Sequence, residues 1–172
     1  MFSQIKNTTE KIRAPQSQVV IMRGDSNFVS GGVAYTPPRG EGIVEEKMDN
    51  LIIFRNDNQK FEMDPLLKMA LAHCQFEAIH PFTDGNGRTG RILNTLVLIN
   101  KRLLTYPILY LSSYIIDNKE SYYHHLNGVS ARGDWKGWLI YMLEAVRTTA
   151  DYTVFKIEEI MFQFTETRKH IE

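Results

Sequence analysis

The chain has 172 residues, 43% hydrophobic and 23% charged, which suits one soluble globular domain with a sizeable core. Twenty basic residues balance twenty acidic ones, so no global charge draws the protein to nucleic acid or to an anionic membrane. Cys74 is the only cysteine, which excludes a disulfide within the chain. The N-terminus lacks a signal-peptide core and no apolar run reaches membrane-spanning length, so a cytoplasmic protein is expected.

In chain order, residues 4–13 suggest a short helix ended near Pro15, with Ile5 and Ile12 seven apart. Val19–Met22 is β-branched and strand-like, Arg23–Asn27 is turn-rich, and Phe28–Thr36 reads as a second strand stopped by Pro37-Pro38. A lone two-stranded hairpin is marginal and must lean on helices. Ile43–Phe54 reads as an amphipathic helix burying Ile43, Met48, Leu51, Ile52 and Phe54. Asp64-Pro65 then gives a capping carboxylate followed by proline at the first helical position. Leu66–Ile79 is apolar apart from Lys68, His73, Gln75 and Glu77, as expected of a helix buried on most sides. Arg91–Ile99 reads as a second buried helix.

After a connection over Leu103–Tyr106, Ile108–Ile116 is apolar again. Asp117 or Asn118 is expected to cap a helix carrying Tyr122, Tyr123, Leu126 and Val129, and Gly133-Asp134 to break it. Asp134 is expected to cap a further helix with Trp135, Trp138, Tyr141, Met142 and Val146. A last helix is expected over Val154–Ile171, with Phe155, Ile157, Ile160, Met161 and Phe164 as its apolar positions. No repeat, low-complexity segment or internal linker interrupts this order.

The two apolar helices flank His80-Pro-Phe-Thr-Asp-Gly-Asn-Gly-Arg-Thr-Gly-Arg91. A plain connection needs only small polar residues and a glycine, yet this one adds an imidazole, a carboxylate and two guanidinium groups. Gly85 and Gly87 let the backbone curl so that successive N–H groups face one concavity. The start of the next helix adds partial positive charge there. Arg88 and Arg91, three apart, are placed to converge on phosphate oxygens. Asp84 would be the hard oxygen ligand for Mg²⁺. His80 is the one group in the loop that exchanges a proton near neutral pH. Phosphoryl or nucleotidyl transfer from a Mg-nucleotide is the chemistry this loop suits.

These twelve residues resemble the signature of the Fic (Fido) family of protein AMP-transferases. The resemblance implies an all-α helical bundle around a central helix–loop–helix, with one small β-hairpin flap. It implies transfer of AMP from ATP to a Ser, Thr or Tyr hydroxyl, with His80 as base, Asp84 on Mg²⁺, and Gly85, Asn86 and Gly87 as the anion hole. The Asn86 side chain would meet the α-phosphate, and Arg88 and Arg91 would hold the departing pyrophosphate. Gly32-Val-Ala-Tyr-Thr-Pro-Pro38 is similar to the flap that pairs with a target's backbone, so Gly32, Val33, Ala34 and Tyr35 are its expected target-positioning residues. Pro107-Ile-Leu-Tyr-Leu-Ser, Tyr122-Tyr123 and Gly133-Asp-Trp-Lys-Gly-Trp138 extend the likeness, which runs from about Val19 to about Thr149. The chain is therefore expected to be a single Fic catalytic domain over 1–172, with the flap at about 19–38 and the active-site loop at 80–91.

Many Fic proteins carry an inhibitory Ser/Thr-x-x-x-Glu-Gly/Asn helix aimed at the second motif arginine, here Arg91. Neither end of this sequence completes that pattern. The expectation is the core of a longer protein that held the inhibitor, or a separate antitoxin-like partner, and a domain competent without release. The cytoplasm in question could be that of another cell into which the protein is delivered. Within the family the alternatives are a phosphotransferase that binds the nucleotide reversed, and an enzyme that removes AMP. Gly87 and Arg88 favour AMP transfer over the first, and the missing inhibitory Glu disfavours the second. From another class, a non-catalytic nucleotide-binding module would need the cradle but not His80. His124-His125 diverge on a helix and read as surface residues, and His73 as a hydrogen-bonded core histidine.

Overall fold

The computed structural model describes residues 12–17, 21–22 and 33–171. Its centre is α2 (Pro65–Ile79), which starts where the carboxylate of Asp64 accepts from the N–H groups of Leu66 (2.8 Å) and Leu67 (3.4 Å). One face of α2 carries Ala72, Phe76 and Ile79 against Val44 and Leu51 of α1 (Ile43–Asn56). The other carries Met69, Ala70 and Cys74 into a larger core. That core is completed by α3 (Asn86–Asn100), α4 (Leu111–Asp117), α5 (Lys119–Arg132) and α6 (Trp135–Ile171). Covered on both sides, α2 has little need of a polar face, which is why its sequence is almost continuously apolar.

The fold is all-α, with one small antiparallel pair, β1 (Ile21–Met22) and β2 (Val33–Tyr35), in which Ile21 faces Tyr35 and Met22 faces Val33. Among the described residues no helix is long and apolar enough to cross a membrane. Trp138 is fully buried and its indole N–H donates to the Ala70 carbonyl (2.8 Å), pinning α6 to α2. Lys68, an exception in the apolar run, is buried as well. Its ammonium donates to the Asp57 carbonyl (3.2 Å) and to Asn58 Oδ1 (3.1 Å), closing the C-terminal end of α1.

Several expectations need correction. Of the helix proposed at 4–13, residues 4–11 lie outside the described residues, and Ile12 and Arg13 are not helical. The hairpin positions 19–20 and 28–32 also lie outside them. In α1 the buried residues are Val44 and Leu51, while Ile52 is exposed, because the helix turns one stripe and not a broad face to α2. Ile92 and Leu96 are exposed on α3, which is therefore covered on one side only. Asn118 stands at the N-cap of α5, but its amide donates backwards to the Tyr114 carbonyl (2.9 Å) and closes α4 instead.

The stretch Val154–Ile171 is helical as expected, and it continues the helix that begins at Trp135. α6 runs unbroken for 37 residues because neither glycine nor proline interrupts it after Gly137. Its start is held by Asp134, which accepts from the Gly137 N–H (2.9 Å). Its first half packs through Trp138, Tyr141, Met142 and Ala145, whereas Phe155, Ile157, Ile160, Met161 and Phe164 are exposed. Helix-spaced ion pairs, Lys156–Glu159 and Lys169–Glu166, line that second half.

Asp64→Ala tests how far α2 depends on its cap. The variant frees two N–H groups at an exposed position without touching the core, and should lose about 1 kcal/mol in a urea unfolding curve. A loss near zero would mean that packing alone fixes where α2 begins.

Candidate active site

The loop between α2 and α3 is built by its own backbone. His80 ends α2 in the left-handed region (φ 50°, ψ 59°), which turns the chain sharply. Gly85 repeats the left-handed conformation (φ 84°) immediately before α3. The Asn86 side chain braces the turn between them: its Nδ2 donates to the Phe82 carbonyl (2.8 Å) and its Oδ1 accepts from the Phe82 N–H (2.9 Å). Buried and doubly engaged, this amide serves the loop, which departs from the expectation that it reaches for a phosphate. α3 begins at Asn86, several residues before the apolar run that announced it, so Arg88 and Arg91 are helical residues. No side chain caps α3. The N–H groups of its first turn are therefore without intrahelical acceptors and form an anion-attracting end.

An open cavity of about 410 Å³ lies over this end. The loop and α3 line it with His80, Thr83, Asp84, Gly85, Asn86, Gly87, Arg88 and Arg91. α4 adds Ile115 and Ile116, and α5 adds Lys119, Tyr122 and Tyr123. The structure thus brings together every loop residue expected to act. It does not bring Tyr35 into the lining, and Gly32 lies outside the described residues. Lys119, Ile115, Ile116 and the two tyrosines were not foreseen as site residues, since only the docking of α4 and α5 delivers them.

His80 Nδ1 lies 3.3 Å from the Glu77 carbonyl, which can only accept, so Nδ1 carries the proton and Nε2 keeps its lone pair. Burial holds the imidazole below its ordinary value; the Glu77 carbonyl opposes this, and the Arg13 charge adds to it. Asp84 is exposed at the mouth: Oδ1 accepts from the Gly85 N–H (2.6 Å), and Oδ2 pairs with Arg88 (3.0 Å). Arg91 Nε donates to Ser112 Oγ on α4 (3.1 Å).

Beneath the loop lies a buried polar layer. His73 accepts from Asn94 Nδ2 at Nδ1 (3.2 Å), and its Nε2 meets Tyr122 Oη (3.0 Å), which ties α2 to α3 and α5. Its ring stacks on Trp138 and burial pulls its pKa down to about 4, so it is neutral. Glu77 is buried, with Oε1 unpartnered; burial pushes its pKa up to about 7, against the pull of Arg91. Gly90 makes room for both. A Cβ there would stand 2.6 Å from Glu77 Oε1 and 3.0 Å from His73. The only sequence signal for this layer is the presence of His73 and Glu77 in an apolar helix.

The sequence profile of the Fic/DOC family matches residues 3–98, more than half of the chain. The protein adenylyltransferase fic-1 of Caenorhabditis briggsae is 32% identical over 108 residues, 63% of this chain and 20% of that protein. The protein adenylyltransferase Fic of Aedes aegypti is 29% identical over 133 residues, 77% of this chain and 24% of that protein. A crystal structure of a Fic family protein from Desulfovibrio desulfuricans G20 matches with a TM-score of 0.72 and 29% identity, over 89% of this chain and 43% of that one. The chain spans only a fifth to a quarter of the length of these curated relatives.

The buried layer has a pH signature. Glu77 titrates at about 7 when folded against 4.5 when free, so its contribution is present below pH 4.5 and lost as pH rises through 7. His73 acts in the opposite sense: it titrates at about 4 against 6.5, so its contribution is present above pH 6.5 and lost as pH falls towards 4. Glu77→Gln removes the first and keeps the second. Its unfolding free energy should therefore gain on that of the parent between pH 5 and pH 7.5, by up to about 3 kcal/mol. Parallel pH profiles would mean that Glu77 ionises normally. Gly90→Ala should destabilise by about 1–3 kcal/mol in the same assay, by overpacking.

Proposed function

The chain belongs to the Fic/DOC family, and we propose that it transfers AMP from ATP to a hydroxyl side chain of a target protein, releasing pyrophosphate. The observation that carries this is a neutral His80 whose Nε2 has no partner among the described residues, placed at the rim of an uncapped helix end flanked by Arg88 and Arg91. A module that only bound nucleotides would need the cationic helix end and not the base.

In the proposed reaction Nε2 of His80 takes the proton of the target hydroxyl as its oxygen attacks the α-phosphorus. The bond from that phosphorus to the β-phosphate oxygen breaks, and pyrophosphate departs with its pair of electrons. The backbone N–H groups of Asn86, Gly87 and Arg88 suit the growing charge on the α-phosphate. Arg88 and Arg91 suit the leaving group, with Lys119 adding charge on the opposite wall. The Asn86 side chain acts by keeping that backbone in place.

Asp84 fits a Mg²⁺ ion arriving with the nucleotide, being a single exposed carboxylate at the mouth of a cavity otherwise rich in cations. Bound there, Mg²⁺ would neutralise phosphate charge. The short strand Val33–Tyr35 is the proposed edge for a target segment, whose backbone it would hold by β-augmentation. An inhibitory segment or partner that engaged Arg91 would spoil the seat of the pyrophosphate. A reducing, cytoplasmic compartment suits the single buried Cys74, whose thiol burial pushes up to about 12.

The test uses ATP labelled separately on the α- and γ-phosphates, with Mg²⁺ and a lysate as the pool of targets. Label from the α-position should appear on protein. His80→Ala should cut it by roughly 10²–10⁴ while ATP still binds. Label from the γ-position alone would mean a phosphotransferase, and full activity in His80→Ala would sink the assigned role.

A further inference from the structure

Arg13 is 3% exposed, and its guanidinium meets no carboxylate at ion-pair distance among the described residues. It is satisfied by carbonyl groups instead. Nε donates to His80 O (2.8 Å), and Nη2 donates to Ile79 O (3.2 Å) and to Pro38 O. Its own backbone N–H donates to Pro81 O (2.8 Å). Its side chain therefore grips Ile79, His80 and the stretch that leads out of β2, while its backbone holds Pro81.

Each contact has a physical reason. The last carbonyl groups of α2 have no partners within the helix, and a cation suits the negative end of its dipole. His80 is one of only two non-glycine residues at positive φ among the described residues. Such a conformation costs on the order of 1 kcal/mol and persists only where the surroundings enforce it. The bond from Arg13 to the His80 carbonyl, with the bond to Pro81 beyond it, is that enforcement. Pro38, held by the same fork, lies three residues after Tyr35, so the strand offered to the target is referenced to the backbone of the base.

We propose that Arg13 is a positioning residue that locks the strand Val33–Tyr35 and His80 into one frame, so that a docked hydroxyl meets Nε2 at a fixed offset. This rests on the proposed role of His80 and adds the element that couples base to target. The charge has a second effect, since a cation beside the imidazole disfavours its protonation. Among the described residues, the other charged or titratable groups around His80 are Asp84, Arg88 and Arg91 from the loop and α3, Lys119, Tyr122 and Tyr123 from α5, and Glu77 beneath. Facing Arg13 are Glu45 and Tyr35.

Arg13→Gln and Arg13→Lys separate charge from geometry. The primary readout is the NMR titration of the His80 imidazole, assigned by its loss in His80→Ala, and it does not depend on activity. Arg13→Gln should move the titration to higher pH, whereas Arg13→Lys should leave it near that of the parent. Both should keep ATP affinity within about threefold and lower kcat for protein targets by about 10- to 100-fold, as expected for a misplaced base. An unchanged His80 titration in Arg13→Gln overturns the proposal, as does full target turnover in Arg13→Lys. Absence of AMP transfer in the unsubstituted chain would instead sink the proposed reaction, and the titration would still judge the link between Arg13 and His80.

Discussion

Burial of α2 on both faces is the constraint from which the rest of the structure follows. A helix enclosed in this way leaves most of its polar side chains without solvent, so each buried one must find a partner or lose its charge. Lys68 reaches the end of α1, His73 is wired to Asn94 and Tyr122, and Glu77 is held towards its neutral form. Lys68 and His73 thereby attach α1, α3 and α5 to the one helix that ends in His80. The walls of the cavity and its base therefore share a single reference.

The loop was legible because its chemistry is local. The turn at Gly85 and the spacing of Arg88 and Arg91 depend on neighbours within a few residues, whereas Asn86 was read as a phosphate contact and not as the brace it is. The cap at Asp64 and the break at Gly133 are local too, and both fall where the sequence puts them. What depends on tertiary docking was not legible. Arg13 contacts residues more than 60 positions away, and Lys119 and Tyr123 become site residues only once α5 lies beside α3. The reach of α6 was missed for another reason: an apolar stripe in a helix implies a partner surface but not where that surface lies.

Two of the three glycines in the stretch 80–91, Gly85 and Gly90, do different work, which a reading of the loop as merely glycine-rich merges. Gly85 is needed for its left-handed backbone, with nothing but the Arg88 side chain near a would-be Cβ. Gly90 has an ordinary helical backbone, and is needed because Glu77 and His73 occupy the space of its missing side chain. The first constraint belongs to the turn and the second to the packing of α3 on α2. The close approach at Gly90 draws the N-terminal turn of α3 down onto the helix that carries the base.

The electrostatics of the cavity argue for a polyanion and against a neutral ligand. Arg88, Arg91 and Lys119 line it, and among the described residues Asp84 is the only carboxylate that does. Glu77, the nearest buried acid, is pushed towards its uncharged form and so only partly offsets Arg91. The single pair across the mouth, Asp84–Arg88, has side chains 68% and 60% exposed. Pairs so exposed are worth little, because water screens both partners. Exchanging that pair for a phosphate on Arg88 and a hard cation on Asp84 costs little and leaves both groups better matched. By contrast, Asn86 and His80 are fixed by partly buried hydrogen bonds to the backbone. The groups that must yield to a ligand are the loosely held ones, and those that must keep their geometry are bonded to the backbone of the loop and of α2.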